Sequence, residues 1–389
     1  MANIDQFVKV GFSISKATSL AIFFSNYGYL CTATIDDFVD GYILPPSNII
    51  LLATVEDLQK VFKTDTQYYK DIETLLLQKG NLRPNRAGIN NVVVYVGVLG
   101  SGETYGNLVN EMISVNGNYA RLTIDSRNLE DIFEAAKAAH SKDRRFVAQT
   151  SDESLFDTTI TDNVIKELNA LNCDLIDVDF HFNDSQALAC GESSIATQEL
   201  MGSVGDLYSQ ITNVTPQEYT TTQESILKDL YLSYYTTVTF TDGGALDNYA
   251  QKLLLGGFTV TGEDRKRRDI RYYFDKMFKA RSLDFLAKKL AYSDASANVL
   301  NEMLTRILIE GQKNNLIVPN TIDEETGEVI KGFDIKPIYP SQLRKTNPTA
   351  YGAKRYQEVG YYRDAVTGRE VAIDFYIDPE DYELAEIGF

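Results

Sequence analysis

Three side chains that can bind a metal ion or transfer a proton alternate along one predicted strand. The strand is DLIDVDFHF, residues 174–182, and it contains Asp177, Asp179 and His181. Successive side chains of a strand point to opposite faces, so these three share one face. Two carboxylates and an imidazole can bind a divalent cation, which makes a metal-dependent enzyme one functional hypothesis. The favoured alternative is the polar face of an edge strand or a partly open strand, because the chain has only two histidines.

A glycine-rich loop, GSGETYGN at 100–107, follows another predicted strand, as phosphate-binding loops do. Its spacing matches neither GxGxxG nor the P-loop pattern that ends in GKS or GKT, so we predict a turn. Cys31, Cys173 and Cys190 are too far apart in sequence for a zinc ribbon or a redox pair. The sequence also lacks GxSxG and HExxH, so we predict no catalytic residue, no metal site and no cofactor.

The composition is that of an acidic protein with a substantial core. Of the 389 residues, 44% are hydrophobic and 11% aromatic, which is enough to build two or three packed domains. The net charge of −18 opposes binding to nucleic acid or to an anionic membrane, so we expect neither as a partner. The N-terminal sequence does not resemble a signal peptide, and the few cysteines suit synthesis in a reducing cytosol.

Strand-like and helix-like segments alternate between residues 49 and 240, which predicts a mostly parallel sheet with helices on its faces. The predicted strands are 48–54, 90–99, 121–125, 145–150, 174–182 and 234–240. The predicted helices are 55–62, 66–80, 128–140, 161–172, 195–208 and 221–232. Pro45-Pro46 and the DGG at 242–244 indicate boundaries on either side of this region.

The longest helical pattern, 264–318, contains the most basic stretch of the chain. Residues 264–289 hold ten Lys/Arg and four Asp/Glu, a net of +6, whereas the other residues hold 27 and 51, a net of −24. Tyr292-Ser293-Asp294 separate this helix from a second one at 296–313. Two core helices with solvated outer faces are one interpretation. The other is a docking element for an acidic partner, because clustered like charges repel each other unless they are opposed. The docking candidates are Arg265, Lys266, Arg267, Arg268 and Arg271.

Both ends of the chain show the alternation that is typical of strands. In the N-terminal segment, the residues that share one face are Val8, Val10, Phe12 and Ile14. In the C-terminal segment, 355–363 and 368–378 predict a hairpin. Its shared face is Val371, Ile373, Phe375 and Ile377. A terminal strand pairs either with its own sheet or with that of a neighbouring chain, and the alternation leaves both open. Only the resemblance described next implies that these residues form inter-subunit strands.

Several segments carry a resemblance to a known family by their order along the chain. The first are VKVGFSIS, IILLATVEDLQKVFKTDTQYYKDIETLLLQ and RPNRAGINNVVVYVG. They are followed by YARLTIDSRNLEDIFEAAKAAHSKDRRFVAQTSDE, LKDLYLSYYTTVTF and DFLAKKLAYSDASANVLNEMLTRILIEGQKNNLI. This order resembles the compact tail-sheath proteins of contractile-tailed phages. The resemblance covers most of 6–380, and 183–220 and the tail after 320 match least.

The resemblance implies a structural protein rather than an enzyme. Such proteins form stacked hexameric rings around a rigid tail tube, and their terminal arms add strands to the sheets of neighbouring subunits. Contraction, which drives the tube through the host envelope, would need no ATP. The implied partners are copies of the same chain, the tube protein, and baseplate and tail-terminator proteins, all within the tail of a virion assembled in the host cytoplasm.

The resemblance also implies that a helix of the inner domain contacts the tube, and the matching positions are 296–313. The candidates on this helix are Asn298, Arg306 and Lys313, of which Arg306 and Lys313 would face an acidic tube. The basic run 265–281 is the other candidate for this contact, or else it contacts a neighbouring sheath subunit.

The predicted architecture is an α/β (α+β) tail-sheath-like fold with extended terminal arms. Residues 1–44 form the N-terminal arm and the start of the inner domain. A peripheral α/β domain follows at 45–241, then an inner C-terminal domain at 242–369 and a C-terminal arm at 370–389. The sheath of a bacterial contractile injection system, a baseplate adaptor that forms a single ring and the metal-dependent enzyme are the alternatives.

Overall fold

The computed structural model describes residues 24, 26–78, 93–117, 119–157, 159, 163–198, 205–240, 249–342 and 356–377. The chain forms two compact units. The first, which we call the α/β unit, comprises residues 17–200 and 204–265. The second, the C-terminal unit, comprises residues 1–16, 201–203 and 266–389. No helix among the described residues is long and apolar enough to span a membrane.

The α/β unit is built on an eight-stranded sheet with the order β2-β3-β1-β4-β5-β6-β7-β8. Its strands are β1 (Tyr27–Cys31), β2 (Ile49–Leu52), β3 (Val94–Val98), β4 (Arg121–Ile124), β5 (Arg145–Thr150), β6 (Ile176–Phe180), β7 (Ser233–Phe240) and β8 (Tyr249–Leu255). Its helices are α1 (Val55–Gln59), α2 (Gln67–Leu77), α3 (Tyr105–Asn116), α4 (Leu129–Ser141), α5 (Val164–Ala170), α6 (Leu188–Gln198) and α7 (Thr221–Asp229). The six neighbouring strands β3, β1, β4, β5, β6 and β7 run parallel to one another. The edge strands are antiparallel to their neighbours: β2 pairs with β3, and β8 pairs with β7.

Helices cover both faces of this sheet, which explains why its inner strands, such as β1, β3 and β5, are buried along their whole length. On β1, Tyr27, Tyr29 and Cys31 face a cluster that includes residues of α1, α2 and α6. Leu30, between them, faces the opposite cluster, to which α3, α4 and α5 contribute. Cys31, Cys173 and Cys190, all among the described residues, are buried and form no disulfide.

Short polar side chains fix where the helices of this unit begin. An oxygen of a Thr or Asn side chain accepts a hydrogen bond from a backbone N–H in the first turn of six helices. These caps are Thr54, Thr66, Thr104, Asn128, Asn163 and Thr220. Each satisfies a donor that the helix itself leaves unpaired.

The C-terminal unit combines two long helices with a small antiparallel sheet. Its helices are α8 (Arg265–Ala287), whose first residue still belongs to the α/β unit, and α9 (Asp294–Lys313). Its strands are β9 (Thr321–Ile322), β10 (Val329–Ile330), β11 (Phe333–Ile338), β12 (Tyr356–Arg363) and β13 (Glu370–Ile377). β11, β12 and β13 form one sheet in that order, and β9 and β10 form a separate hairpin.

Aromatic side chains of α8 pack on the three-stranded sheet. The ring centroids of Phe274 and Tyr362 are 4.9 Å apart, and those of Phe278 and Phe375 are 5.8 Å apart. On α9, Gly311 lies so close to Phe274 that a Cβ at this position would be 2.4 Å from the ring. Only glycine permits this approach, so the contact between α8 and α9 depends on it.

Most predicted elements are confirmed, but two elements were missed and one helix was misplaced. α3 (Tyr105–Asn116) begins within the predicted turn at 100–107, and β8 lies where no strand was predicted. The helix predicted at 195–208 begins earlier, at Leu188. Both α3 and β8 contain glycine or several polar residues, which weakened their periodic signal.

The compact units also divide the chain differently from the predicted domains. β1 lies at the centre of the sheet and β8 pairs with β7, so residues 27–31 and 249–255 belong with the α/β unit. Residues 370–377 form β13 beside β12 rather than a free arm. The N-terminal candidates Val8, Val10, Phe12 and Ile14 lie outside the described residues.

Candidate functional site

A buried charge cluster lies at the centre of the α/β unit, around the guanidinium group of Arg265. Nη2 of Arg265 is 3.0 Å from a carboxylate oxygen of Asp179, and Nε is 3.5 Å from one of Asp177. Nη1 is 3.3 Å from Glu192 and 3.4 Å from Asp206. The Arg265 side chain is only 1% exposed, so water cannot screen these four contacts.

Further hydrogen bonds hold the cluster in place. Nε of Arg265 donates to the carbonyl of Phe258 at 3.0 Å. A second guanidinium, that of Arg145 on β5, is 3.4 Å from Asp177. Elements that are distant in sequence (β5, β6, α6 and the start of α8) therefore meet at one set of ion pairs.

Burial shifts the protonation of two of these carboxyl groups. Loss of water raises the pKa of Asp179 to about 7, although Arg265 opposes the shift, and the negative charge of Asp177 adds to it. Loss of water also raises the pKa of Glu192 well above its usual range, and the charge of Asp206 contributes in the same direction. Arg265 thus stabilises the carboxylates without compensating fully for their desolvation.

His181 does not join the cluster. Nε2 of the ring is 2.9 Å from the carbonyl oxygen of Thr215. Nδ1 is 3.2 Å from the carbonyl oxygen of Asn183 and accepts a hydrogen bond from the backbone N–H of the same residue at 3.1 Å. Burial lowers the pKa of His181, so its neutral form is favoured. The histidine therefore connects two loop segments through backbone hydrogen bonds.

This geometry corrects the metal-site hypothesis for Asp177, Asp179 and His181. The two aspartates contact a guanidinium where a cation would have to bind, and the histidine nitrogens face backbone carbonyls. The described part of the chain contains no group of three His, Cys, Asp or Glu side chains placed to hold a metal ion. The preferred alternative was wrong as well, because β6 is fully buried between β5 and β7 instead of lying at an edge.

The glycine-rich loop is not built to accept phosphate. The carboxylate of Glu103 accepts a hydrogen bond from the backbone N–H of Gly100 at 2.8 Å. Thr104 then caps α3. The Glu103 carboxylate thus takes a backbone N–H group that a bound phosphate would need, and the absence of a nucleotide site stays a prediction.

The basic helix is mostly buried, which corrects part of the docking prediction. Arg265, Lys266 and Arg268 are less than a tenth exposed and cannot present their charge at the surface of the chain. Arg267, whose side chain is 26% exposed, pairs with Asp364 at the turn between β12 and β13. Arg271 is exposed and remains a docking candidate.

The burial of α8 explains the error. Its buried basic residues are Arg265, Lys266, Arg268, Lys276 and Lys279, and Phe274 and Phe278 are buried as well, so the helix is covered on more than one side. Within α8 itself, Lys279 lies 2.6 Å from Asp275. Lys276 lies 4.4 Å from the centroid of the Tyr272 ring, a cation–π contact. Charge composition alone does not reveal such internal pairing.

α9 presents one face to the surface and buries the other, as its sequence predicts. The three tube-contact candidates, Asn298, Arg306 and Lys313, all lie on the exposed face. Arg306 is 2.5 Å from Glu302, and Asn298 accepts a hydrogen bond from the Tyr339 hydroxyl at 3.0 Å. The exposed face carries both signs of charge.

β13 combines a buried face with an edge. Ile373, Phe375 and Ile377 are buried, and they alternate with the exposed residues Ala372 and Asp374. Within the described residues β13 pairs only with β12, so its other edge has backbone groups available to a further strand. The predicted hairpin is confirmed, whereas inter-subunit pairing stays a prediction.

Sequence reasoning missed four members of the charge cluster: Arg145, Glu192, Asp206 and the inward role of Arg265. Asp179 and Arg265 are 86 positions apart in the chain. Glu192 and Asp206 lie within 183–220, where the sequence resembles the tail-sheath family least. No local spacing connects these residues, and the only available signal was the pair of aspartates on an otherwise apolar strand.

Comparison with known proteins gives similarity in fold only. No family model matches the chain, and no curated protein matches it. A chain in the cryo-EM structure of the anti-feeding prophage (AFP) baseplate, 6-fold symmetrised, is 12% identical with a TM-score of 0.56. The alignment covers 93% of this chain and 97% of that one.

A chain in the cryo-EM structure of the AFP helical sheath in its contracted state is also similar. It is 10% identical with a TM-score of 0.52, and the alignment covers 94% of each chain. The predicted tail-sheath-like α/β fold is therefore confirmed, and the shared fold includes both compact units.

Proposed function

We propose that this chain is a structural subunit of a contractile sheath that surrounds a tail tube. The observation that carries the proposal is the likeness in fold, over more than nine-tenths of this chain, to chains of a baseplate and of a contracted helical sheath. The buried, ion-paired aspartates support a structural role, because they leave no open site for chemistry on β6.

Under this proposal the subunits form stacked rings that are joined by exchanged strands. The edge of β13 that pairs with no strand of the described ranges can accept a strand from a neighbouring copy, and the alternating segment 1–16 can donate one. Backbone hydrogen bonds of this kind tolerate rotation of the subunits better than side-chain packing does. Contraction then proceeds downhill without ATP, because the contracted arrangement gains interfaces between subunits.

The exposed face of α9 is the proposed contact with the tube. Arg306 and Lys313 would meet acidic groups of the tube protein, and the pairing of Arg306 with Glu302 weakens that attraction. Exposed ion pairs contribute about 1 kcal/mol or less each, which suits a contact that must release when the sheath contracts. Baseplate and terminator proteins would bind the two ends of the assembly.

Two variants of this role are distinguishable. Both similar structures belong to the anti-feeding prophage, which favours the sheath of a contractile injection particle over that of a phage virion. The baseplate origin of one of them supports an adaptor that forms a single ring.

Negative-stain electron microscopy of the purified chain, concentrated at moderate salt, tests the proposal. Long tubes of stacked rings would establish the sheath, whereas isolated single rings would favour the adaptor. A chain that lacks 1–14 should stay folded and lose the ability to form tubes, because it has no strand to donate to the edge of β13. If the truncated chain still builds long tubes, strand exchange is not what joins the rings.

A further inference from the structure

The hairpin β9–β10 in the C-terminal unit exposes apolar side chains. Ile322 is 67% exposed, Val329 is 61% exposed and Ile330 is 36% exposed. Ile322 and Val329 are directly paired across the two strands, so their side chains form one continuous patch. Apolar side chains grouped in this way on a two-stranded ribbon are typical of a surface that another protein covers.

The turn of this hairpin is acidic and preformed. Residues 323–328 include Asp323, Glu324, Glu325 and Glu328 and no basic residue. The carboxylate of Asp323 accepts hydrogen bonds from the backbone N–H groups of Glu325 and Thr326, both at 2.9 Å. At the base, Asn320 accepts a hydrogen bond from Gly332 N–H at 2.9 Å. A rigid hairpin loses little conformational entropy on binding.

A basic and apolar surface, complementary to the acidic and apolar hairpin, lies at the C-terminal end of α8. Residues 287–290, Ala-Lys-Lys-Leu, are all exposed, and Leu290 is 41% exposed. Among the described residues, no carboxylate lies within 4.0 Å of the ammonium group of Lys288 or Lys289. We call this segment the corner patch, and residues 322–330 the hairpin patch.

We propose that the hairpin patch of one chain docks on the corner patch of a second copy. Ile322 and Val329 would cover Leu290, while Glu324 and Glu325 would pair with Lys288 and Lys289. Both patches are exposed in the single chain, so they do not cover each other within it. With a net charge of −18, most of the surface of another copy would repel an acidic hairpin, and the corner patch is a basic exception.

Two different patches that bind each other make a head-to-tail interface, which closes into a ring or continues as a helix. The inference therefore rests on the proposed self-assembly and assigns one of its contacts to named residues. It is separate from strand exchange, because it uses the side chains of β9 and β10 and not the edge of β13.

Charge reversal in the full-length chain tests this contact. The first variant is Lys288→Glu/Lys289→Glu, the second is Glu324→Lys/Glu325→Lys, and the third combines them. Each of the first two should raise the concentration for half-maximal assembly at least about tenfold, and the third should recover most of that loss. Sedimentation velocity at fixed salt measures this concentration.

Lys137→Glu/Lys142→Glu is the matched control, because both lysines are exposed in the α/β unit and the change in net charge is the same. It should leave assembly within about threefold of the unmodified chain. Zero-length carbodiimide cross-linking of mixed ¹⁴N- and ¹⁵N-labelled chains gives a second readout. Lys288 or Lys289 of one chain should become linked to Glu324, Glu325 or Glu328 of another.

Failure of this contact is distinguishable from failure of the sheath proposal. Tubes that form without these cross-links, or whose assembly the combined variant does not restore, would overturn the contact and leave the sheath intact. Cross-linked small oligomers that never stack would keep the contact and count against the sheath. A chain that stays monomeric and yields no inter-chain cross-link at any concentration would refute the contact.

Discussion

The guanidinium group of Arg265 lies between Asp177 and Asp179, where a metal ion would have to bind if the chain were a metal-dependent enzyme. Its guanidinium contacts four carboxylates at 3.0–3.5 Å in a region closed to water. Removing a buried cation of this kind destabilises the fold strongly, because the carboxylates that it neutralised stay buried without a partner of opposite charge.

We therefore expect Arg265→Met to lower the free energy of unfolding by about 3–5 kcal/mol. The reason is that Asp177, Asp179, Glu192 and Asp206 would lose their shared partner while staying buried. Chemical denaturation of the full chain measures the change. Arg281→Ala is the control, since Arg281 is about half exposed and pairs with the exposed Asp284. A loss for Arg265→Met no larger than that of the control would show that the cluster is not held by this residue.

The raised pKa values predict how stability depends on pH. Burial raises the pKa of Asp179 to about 7 in the α/β unit, and that of Glu358 to about 7 in the C-terminal unit. Between their ordinary values near 4 and these raised ones, the folded chain binds protons that the unfolded chain has released. The free energy of unfolding should then fall as pH rises from about 4 to about 7.

The groups around Asp179 are Asp177, Glu192, Asp206, Arg145 and Arg265, and the guanidiniums stay charged throughout this range. His181 opposes the trend, because burial lowers its pKa. We expect stability at about pH 8 to be roughly 1–2 kcal/mol below that at about pH 5.5. Denaturation midpoints at the two pH values test this, and Asp179→Asn should flatten the difference. Equal midpoints for the unmodified chain would contradict the prediction.

Helices and strands with a strong periodic signal could be predicted from the sequence. The alternating segments of the α/β unit correspond to strands such as β3 and β5 and to helices such as α2 and α4, because burial on a sheet imposes that periodicity. α3 was missed since it follows a glycine-rich loop, and β8 since it is a partly exposed edge strand. The surface of α8 was misjudged because ion pairing decides whether a basic side chain is buried, and pairing depends on residues far away in sequence.

Deletion of β13 tests whether this strand is needed for the fold of the C-terminal unit. Deleting 370–389 would remove Ile373, Phe375 and Ile377 from the core and should unfold the C-terminal unit, whereas deleting only 378–389 should not. Circular dichroism during heating, together with limited proteolysis, distinguishes the two outcomes. A chain without 370–389 that stays as compact and protease-resistant as the full chain would show that β13 is dispensable for the fold.

The whole molecule is acidic, and burial removes charges of both signs from its surface. Among the described residues eight basic and eight acidic side chains are buried, Arg265 and Arg268 among the basic ones, so burial does not change the net charge left at the surface. The segregation of charge along the sequence is therefore not a segregation over the surface. Two compact units could be expected from length alone, but their boundaries could not, because β1 and β8 join the sheet through pairings that have no local signal.

This charge distribution predicts weak binding to nucleic acid. At physiological salt the chain should bind duplex DNA with a dissociation constant no tighter than about 10⁻⁴ M, because a net charge of −18 repels the phosphates and the two lysines of the corner patch release few counterions. Fluorescence anisotropy with a labelled duplex measures it, and lowering the salt should give only a shallow increase in affinity. Micromolar binding with a steep salt dependence would contradict the prediction and point to the exposed lysines of the corner patch.

The buried cysteines have a consequence for the durability of a particle outside the cell. Cys31 and Cys190 lie in the core of the α/β unit, and burial raises the pKa of both thiols well above the usual value. Oxidants and disulfides react with the thiolate, which is scarce at such sites. Cys31 and Cys190 should therefore form no disulfide between copies of the chain when it passes from a reducing to an oxidising environment.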